Sequence, residues 1–264
     1  MTFCKCNPLN NTVYSEDGEL IFLRCSACGL IWRSPDSMEI SGVYSPAYFD
    51  SKNYLRKRKH KVKKSGWLLD IAGHLHPAIG KMLEVGCSVG NTLEAAAHRK
   101  IESLGIDISD YAVDYCVEKG LNAENKSLRE LLSNGQKFDL IFMQHVLEHF
   151  PDPFAVLRNC YHLLEERGVI LIMVPNSRFR PAERKRGRHR FYNMNGVGAE
   201  HYVYFDYDNL SNNLETCGFE VVQKNYPVRV KGSDNPLFFL NRIGRRSLAL
   251  FGADQELLVV ARKK

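Results

Sequence analysis

The chain has 264 residues, 44% hydrophobic and 25% charged, which suits one medium α/β domain with a small appendage. Its longest apolar stretches, such as Gly168 to Val174 and Leu237 to Leu240, are far too short to span a bilayer, and the polar Met1 to Asn10 does not read as a signal peptide. The formal charge of +6 is local: Lys52 to Lys64 and Arg178 to Arg190 hold 15 of the 36 basic residues, leaving 21 basic against 29 acidic residues elsewhere.

Residues 1–35 carry Cys4-x-Cys6 and then Cys25-x-x-Cys28 followed by Gly29. Four thiolates at this spacing suit a tetrahedral structural zinc, which would organise a piece too small for a core of its own. Such use of cysteine fits a reducing, cytoplasmic setting, where thiols and metal ligands precede disulfides. Cys87, Cys116, Cys160 and Cys217 fall on helical or turn positions and read as packing residues. Residues 36–75 read as a connecting loop, then a helix from Tyr54 to Leu75 closed by Pro77 and Gly80.

From residue 76 to 264, strand and helix signals alternate. Strands are predicted at Lys81 to Gly86, Glu102 to Ile108, Phe138 to Met143 and Val169 to Val174, with a third-strand end at Lys126 to Leu128. Helices are predicted at Asn91 to Arg99, Tyr111 to Lys119, Pro153 to Leu164 and, after Tyr204, as far as Cys217. Two late strands follow, Phe219 to Val222 and Leu257 to Ala261. The alternation predicts βαβ units and a largely parallel sheet. Leu237 to Phe251, apolar with Arg242, Arg245 and Arg246 interleaved, reads as a covering helix.

Leu83 to Asn91 (LEVGCSVGN) ends the first of these strands and opens a helix. Gly86 and Gly90 permit a tight turn and close approach of a ligand. A dinucleotide would set its pyrophosphate on the helix N-terminus. The acid Glu84, two residues before the first glycine, instead suits a phosphate-free, cationic nucleoside derivative such as S-adenosylmethionine (SAM), with its ammonium and sulfonium groups. Asp107, at the tip of the second strand, can accept two ribose hydroxyls; it can also cap the next helix, as can Ser109 and Asp110. Gly86-Cys87-Ser88-Val89-Gly90 also fits the G-x-S-x-G elbow of α/β-hydrolases, with Ser88 as nucleophile and Asp152 and His201 as partners. That reading gives Asp107 and the His145 segment no role.

LEVGCSVGNTLEAA, GIDIS, FDLIFMQHVLEHFPDP and GVILIMVPN, in this order, resemble the class I SAM-dependent methyltransferases, in particular the bacterial branch with H-V-L-E-H-x-x-D-P. The late GAEHYVYFDYDNLSNNLETCGFEVV and ELLVVARK extend the resemblance over residues 44–262. It implies an α/β, Rossmann-like fold with a seven-stranded, mostly parallel sheet whose last strand is antiparallel. It implies that Glu84, Gly86, Cys87, Ser88, Gly90 and Asp107 line SAM, with Ile108 against the adenine and Gln144-His145 beneath the methionine. Relatives often carry an N-terminal zinc ribbon. Ser88 stands where the middle glycine is usual.

Methyl transfer to oxygen needs an acceptor proton removed, and histidine is the natural base at neutral pH. His145, His149 and His201 are the candidates. His145-x-x-Glu148-His149 resembles the metal-holding E-x-x-E-H of ubiquinone-pathway O-methyltransferases, with His145 in place of the first Glu. The expected acceptor is an anionic small molecule, glycan or nucleotide sugar met by the basic segments; RNA is the alternative acceptor.

Overall fold

The computed structural model describes residues 11–17, 20–34, 57–76, 78–177, 201–224 and 256–264. Cys4, Cys6, the basic run 178–190 and the predicted helix 237–251 lie outside the described residues.

A seven-stranded sheet forms the centre. Its members are β4 (Lys81–Val85), β5 (Glu102–Ile106), β6 (Ala123–Glu124), β7 (Phe138–Gln144), β8 (Leu164–Pro175), β10 (Phe219–Lys224) and β11 (Glu256–Lys263). The order is β10-β11-β8-β7-β4-β5-β6. Strands β4 to β8 pair in parallel, whereas β11 runs antiparallel to both β8 and β10. The last strand is therefore antiparallel, as the resemblance implies.

Buried runs such as VILIMV in β8 are apolar on both sides because helices cover both faces. Alternate residues point opposite ways. Leu83, Ile141 and Ile172 meet α4 (Leu128–Ser133), α5 (Pro153–Leu163) and α6 (Tyr207–Thr216). Met82, Phe142 and Leu171 meet α1 (Arg58–Leu75), α2 (Asn91–Ala97) and α3 (Asp110–Glu118). Local chemistry fixes the helix starts: Ser127 with Glu130 and Asp206 with Asn209 form capping boxes, and Asp152 caps α5 with Pro153 just inside.

The second sheet is smaller. β1 (Asn11–Asp17), β2 (Leu20–Cys25), β3 (Ile31–Arg33) and β9 (Val203–Tyr204) form an antiparallel set in that order. Cys25, Leu30 and Trp32 pack into the same core as Leu147, Val203 and Phe205 of the main domain.

Several boundaries depart from the sequence reading. The third strand of the main sheet ends at Glu124, not at Lys126 to Leu128; Ser127 is taken by the α4 cap. β5 stops at Ile106, so Asp107 stands just beyond it. β8 starts at Leu164 rather than Val169, with Arg167 at φ 66° beside Gly168. α6 starts at Tyr207, a little later than expected, because Asp206 serves as its N-cap, and residues 203–204 before it form β9.

Candidate active site

Strand order reverses around β4, which lies between β5 and β7, and the crevice at such a switch point is where ligands bind in open α/β sheets. A cavity of about 800 Å³ opens there. The glycine loop forms its floor. Gly86 and Gly90 have φ of 70° and 72°. A Cβ on Gly86 would come within 2.5 Å of Val146, and one on Gly90 within 2.8 Å of the Cys116 sulfur, so both positions need glycine. Ser88 also sits in the left-handed region, at φ 49°, where a glycine would be unstrained.

Asp107 accepts the Ser88 N–H at 2.8 Å with one oxygen and the Ser109 N–H at 3.0 Å with the other. Ser109, not Asp107, caps α3. Asp107 therefore orders the glycine loop and keeps lone pairs on the cavity side. Burial raises its carboxyl above the usual range, partly opposed by these backbone bonds. Ile108 lines the cavity and is 72% exposed, an apolar surface left open for a flat ligand.

Glu84 is buried, and its Oε2 has no hydrogen-bond partner. Burial raises its carboxyl well above the usual range, against a hydrogen bond from Thr92. A buried acid with one unpartnered oxygen beside the loop fits a cationic ligand, which would draw out its charge. Cys87 lines the cavity through its place in the loop, but its side chain is buried, and a Cβ on Gly105 would lie 2.7 Å from it. Gln144, at the end of β7, also lines the cavity.

Beyond the loop lies a cluster of histidines. The turn Leu147–His149 places Glu148 in the interior with a side chain only 1% exposed, and neither carboxylate oxygen has a hydrogen-bond partner. His145 Nδ1, His201 Nε2 and His149 Nε2 stand 3.7, 3.9 and 4.0 Å from its Oε1. Burial alone would raise the Glu148 carboxyl; its contact with His145 and the nearby His201 and His149 outweigh it, and the pKa lies below the usual value. The His145 Nε2–H donates to Glu256 at 2.9 Å, and Lys64 binds the same carboxylate at 2.9 Å. Burial works against the charged imidazole, but the two carboxylates prevail and hold His145 at about 9.

The structure thus brings the three candidate histidines together around Glu148, and adds Glu256 and Tyr202, which the sequence reading did not single out, with Lys64 of the first basic run bound to Glu256. β11 is antiparallel, so its first residue, Glu256, opens at the same end of the sheet as the parallel strands' C-termini. His145, His149 and Tyr202 line the cavity; among the described lining residues His201 is absent, although it packs on His149 with ring centroids 4.7 Å apart.

The structure also divides the first basic run. Arg58 donates to the Val89 carbonyl at 2.6 Å and pairs with Glu94 at 2.5 Å, and Lys64 is bound to Glu256. Lys57, His60 and Lys61 line the cavity wall. Burial lowers Lys61 to about 8, helped by the charges of Lys64 and Lys57.

The hydrolase alternative does not assemble: Asp152 caps α5 through the Ala155 N–H at 2.9 Å, and His201 faces Glu148. At the N-terminal module, Gly29 N–H donates to the Cys25 carbonyl and Cys25 N–H to the Leu30 carbonyl, both at 2.9 Å, making a tight turn through Cys28. Among the described residues, no helix is long and apolar enough to cross a membrane.

Residues 50–224 match a family model described as a methyltransferase domain. A ubiquinone biosynthesis O-methyltransferase of Haemophilus ducreyi is 33% identical over 107 residues, 36% of this chain and 45% of that protein. The chain spans about half the length of the curated relatives it matches. A SAM-dependent methyltransferase structure from Archaeoglobus fulgidus covers 82% of this chain and 99% of its own at TM-score 0.57 and 20% identity. The [4+2]-cyclase SpnF covers 75% and 80% at TM-score 0.52 and 17% identity, so the fold by itself does not fix the reaction. What fixes the class is the family match, and a glycine loop that needs both its glycines, a buried acid with one unpartnered oxygen and an aspartate just beyond a strand agree with it: the chain belongs to the class I SAM-dependent methyltransferases.

Proposed function

We propose that the chain O-methylates a small acceptor bearing an anionic group, of the glycan, nucleotide-sugar or aromatic acid kind. The observation that carries this is the buried Glu148 carboxylate set 4.0 Å from His149, which lines the cavity wall. Bound SAM supplies a methyl group already activated on a sulfonium. The residues of the chain must then position the acceptor, exclude water and take one proton. In this reading His149 takes the hydroxyl proton as the O–CH₃ bond forms and the S–CH₃ bond breaks. Glu148 stabilises the resulting imidazolium, and His201 and His145 fix Glu148. Glu84 takes the cofactor's cationic end, Asp107 the ribose hydroxyls and Ile108 the adenine face. Lys57, His60 and Lys61 meet the acceptor's anion. The O-methyltransferase names of the relatives agree with this class.

The test is release of S-adenosylhomocysteine over a panel of phenolic acids, sugar phosphates, nucleotide sugars and RNA. Turnover on an anionic hydroxyl acceptor, lost in His149→Ala, is expected. Methyl incorporation confined to RNA would overturn the small-acceptor reading in favour of the nucleic-acid one.

A second reading has its own observation. Ligand atoms of Glu148, His149 and His201 all lie within 4.8 Å of one another, and the two Glu148 oxygens lack hydrogen bonds, so the set fits a divalent cation. Such an ion would lower the pKa of an acceptor hydroxyl. Activity that survives EDTA supports the histidine-base reading; activity lost to EDTA and restored by a divalent ion supports this one. Separately, we propose a structural zinc held by Cys4, Cys6, Cys25 and Cys28, supported by the tight turn from Cys25 to Gly29.

A further inference from the structure

β9 is only two residues long, too short to hold itself in place. On one side it pairs with β3 of the N-terminal module, Ile31 opposite Tyr204 and Trp32 opposite Val203. The pairing continues one residue further, where the Arg33 N–H donates to the Tyr202 carbonyl at 2.8 Å. On the other side, the Tyr202 N–H donates to the Glu148 carbonyl, also at 2.8 Å. The Tyr202 peptide is therefore a bridge between the module and the turn that carries Glu148.

Side chains repeat the link. The Phe22 ring of β2 meets the Tyr204 ring edge-on at 5.6 Å. Tyr204 meets His201 at 5.8 Å, and His201 meets His149 at 4.7 Å. Phe22, Ile31 and Tyr204 form a small buried cluster of their own. Trp32 packs in the main core with Val203 and Leu147, the latter next to Glu148. The module thus grips the His201 segment through a backbone ladder, an aromatic stack and a shared core. The glycine loop and Asp107 hang instead on β4 and β5.

We propose that the N-terminal β-module is a positioning element of the transfer site: β3 and Phe22 hold residues 201–204 so that His201 stays against Glu148. The proposal rests on the reading of Glu148, His149 and His201 as the acceptor-activating group. It assigns Phe22 and Tyr204 as positioning residues, acting through His201 and not on the acceptor. Loss of the module's grip should disturb the histidines while leaving the cofactor half intact.

The experiment uses the full chain with Phe22→Ala, Phe22→Leu and, as a surface control on β1, Val13→Ala. Hydrogen exchange is followed in peptides covering 11–33 and 201–205, SAM affinity by calorimetry, and histidine ring signals by NMR. In Phe22→Ala, exchange at 201–205 should rise ~10-fold or more, as expected when a local opening becomes easy. The His149 and His201 ring signals should move, those of the exposed His74 and His98 should not, and SAM affinity should stay within about twofold, because the loop's own hydrogen bonds are untouched. Phe22→Leu should fall between wild type and Phe22→Ala and keeps the question open to test where the alanine variant does not fold. Protection at 201–205 and ring signals both unchanged in the phenylalanine variants would overturn the proposal, whether or not β1 and β2 loosen. So would a loss of SAM affinity in step with the loss of protection, which marks general destabilisation. Normal turnover in both His149→Ala and His201→Ala would instead sink the functional reading and leave the mechanical coupling standing.

Discussion

Replacing Asp107 by alanine tests the cofactor half of the site. In the structure its two oxygens hold the Ser88 and Ser109 N–H groups at 2.8 and 3.0 Å, so the residue shapes the glycine loop; in the proposed assignment its remaining lone pairs would meet the ribose. Hydrogen bonds to a charged group contribute ~1.5–3 kcal/mol, so loss of that hold should weaken SAM binding by roughly 10- to 150-fold. Asp107→Asn keeps the size and one carbonyl acceptor, and should lie between wild type and Asp107→Ala. Calorimetry with SAM and S-adenosylhomocysteine, together with a melting curve, separates binding from folding. The raised carboxyl pKa adds a sign: a protonated Asp107 accepts hydroxyl protons poorly. SAM affinity should therefore fall as pH drops through that pKa, and this fall should vanish in Asp107→Asn. Wild-type affinity in a folded Asp107→Ala would refute the ribose assignment.

His149→Ala should cut turnover by ~10²–10⁴ with SAM affinity kept, the usual worth of a positioned base, and His201→Ala by less, because His149 is the one that lines the cavity. Steady-state rates at saturating SAM check both, and near-normal rates in the two variants would point to an acceptor that needs no base. Lys61, lowered to about 8, is protonated below that pH and neutral above it, so KM for an anionic acceptor should be flat to about 8 and rise beyond. A profile unchanged in Lys61→Gln would remove it from the acceptor site. Ser88→Gly should raise stability by ~1 kcal/mol by relieving a left-handed backbone, read from denaturant melts; a loss would mean that the serine side chain stabilises the loop. Metal analysis should find about one zinc per chain at a Cys₄ site, lowered in Cys25→Ser together with the stability of β1–β3; no zinc under reducing conditions would discard the ribbon.

The glycine loop, Asp107 and the H-x-x-E-H turn were legible in the sequence because each is dictated locally. Gly86 and Gly90 answer to backbone angle and close neighbours, and Asp107 to its place just beyond a strand. The parallel sheet was legible for a similar reason, since strands buried on both faces read as short apolar runs. Residues placed by pairing between distant segments were not legible. β9 exists because β3 pairs with it across some 170 residues of chain, and nothing in Val203-Tyr204 by itself marks a two-residue strand. Glu256 was missed for the same kind of reason. On its own it is one acid before an apolar strand; only the insertion of β11, antiparallel between β8 and β10, brings it to His145. The partners of His145 and the support of His201 thus arrive from the two ends of the chain, onto a turn whose own sequence specifies the histidines but not what holds them. Substitutions in β3, at Phe22 or at Glu256 are therefore expected to disturb the histidine cluster while the glycine loop, held by Asp107 and by β4 and β5, keeps its geometry.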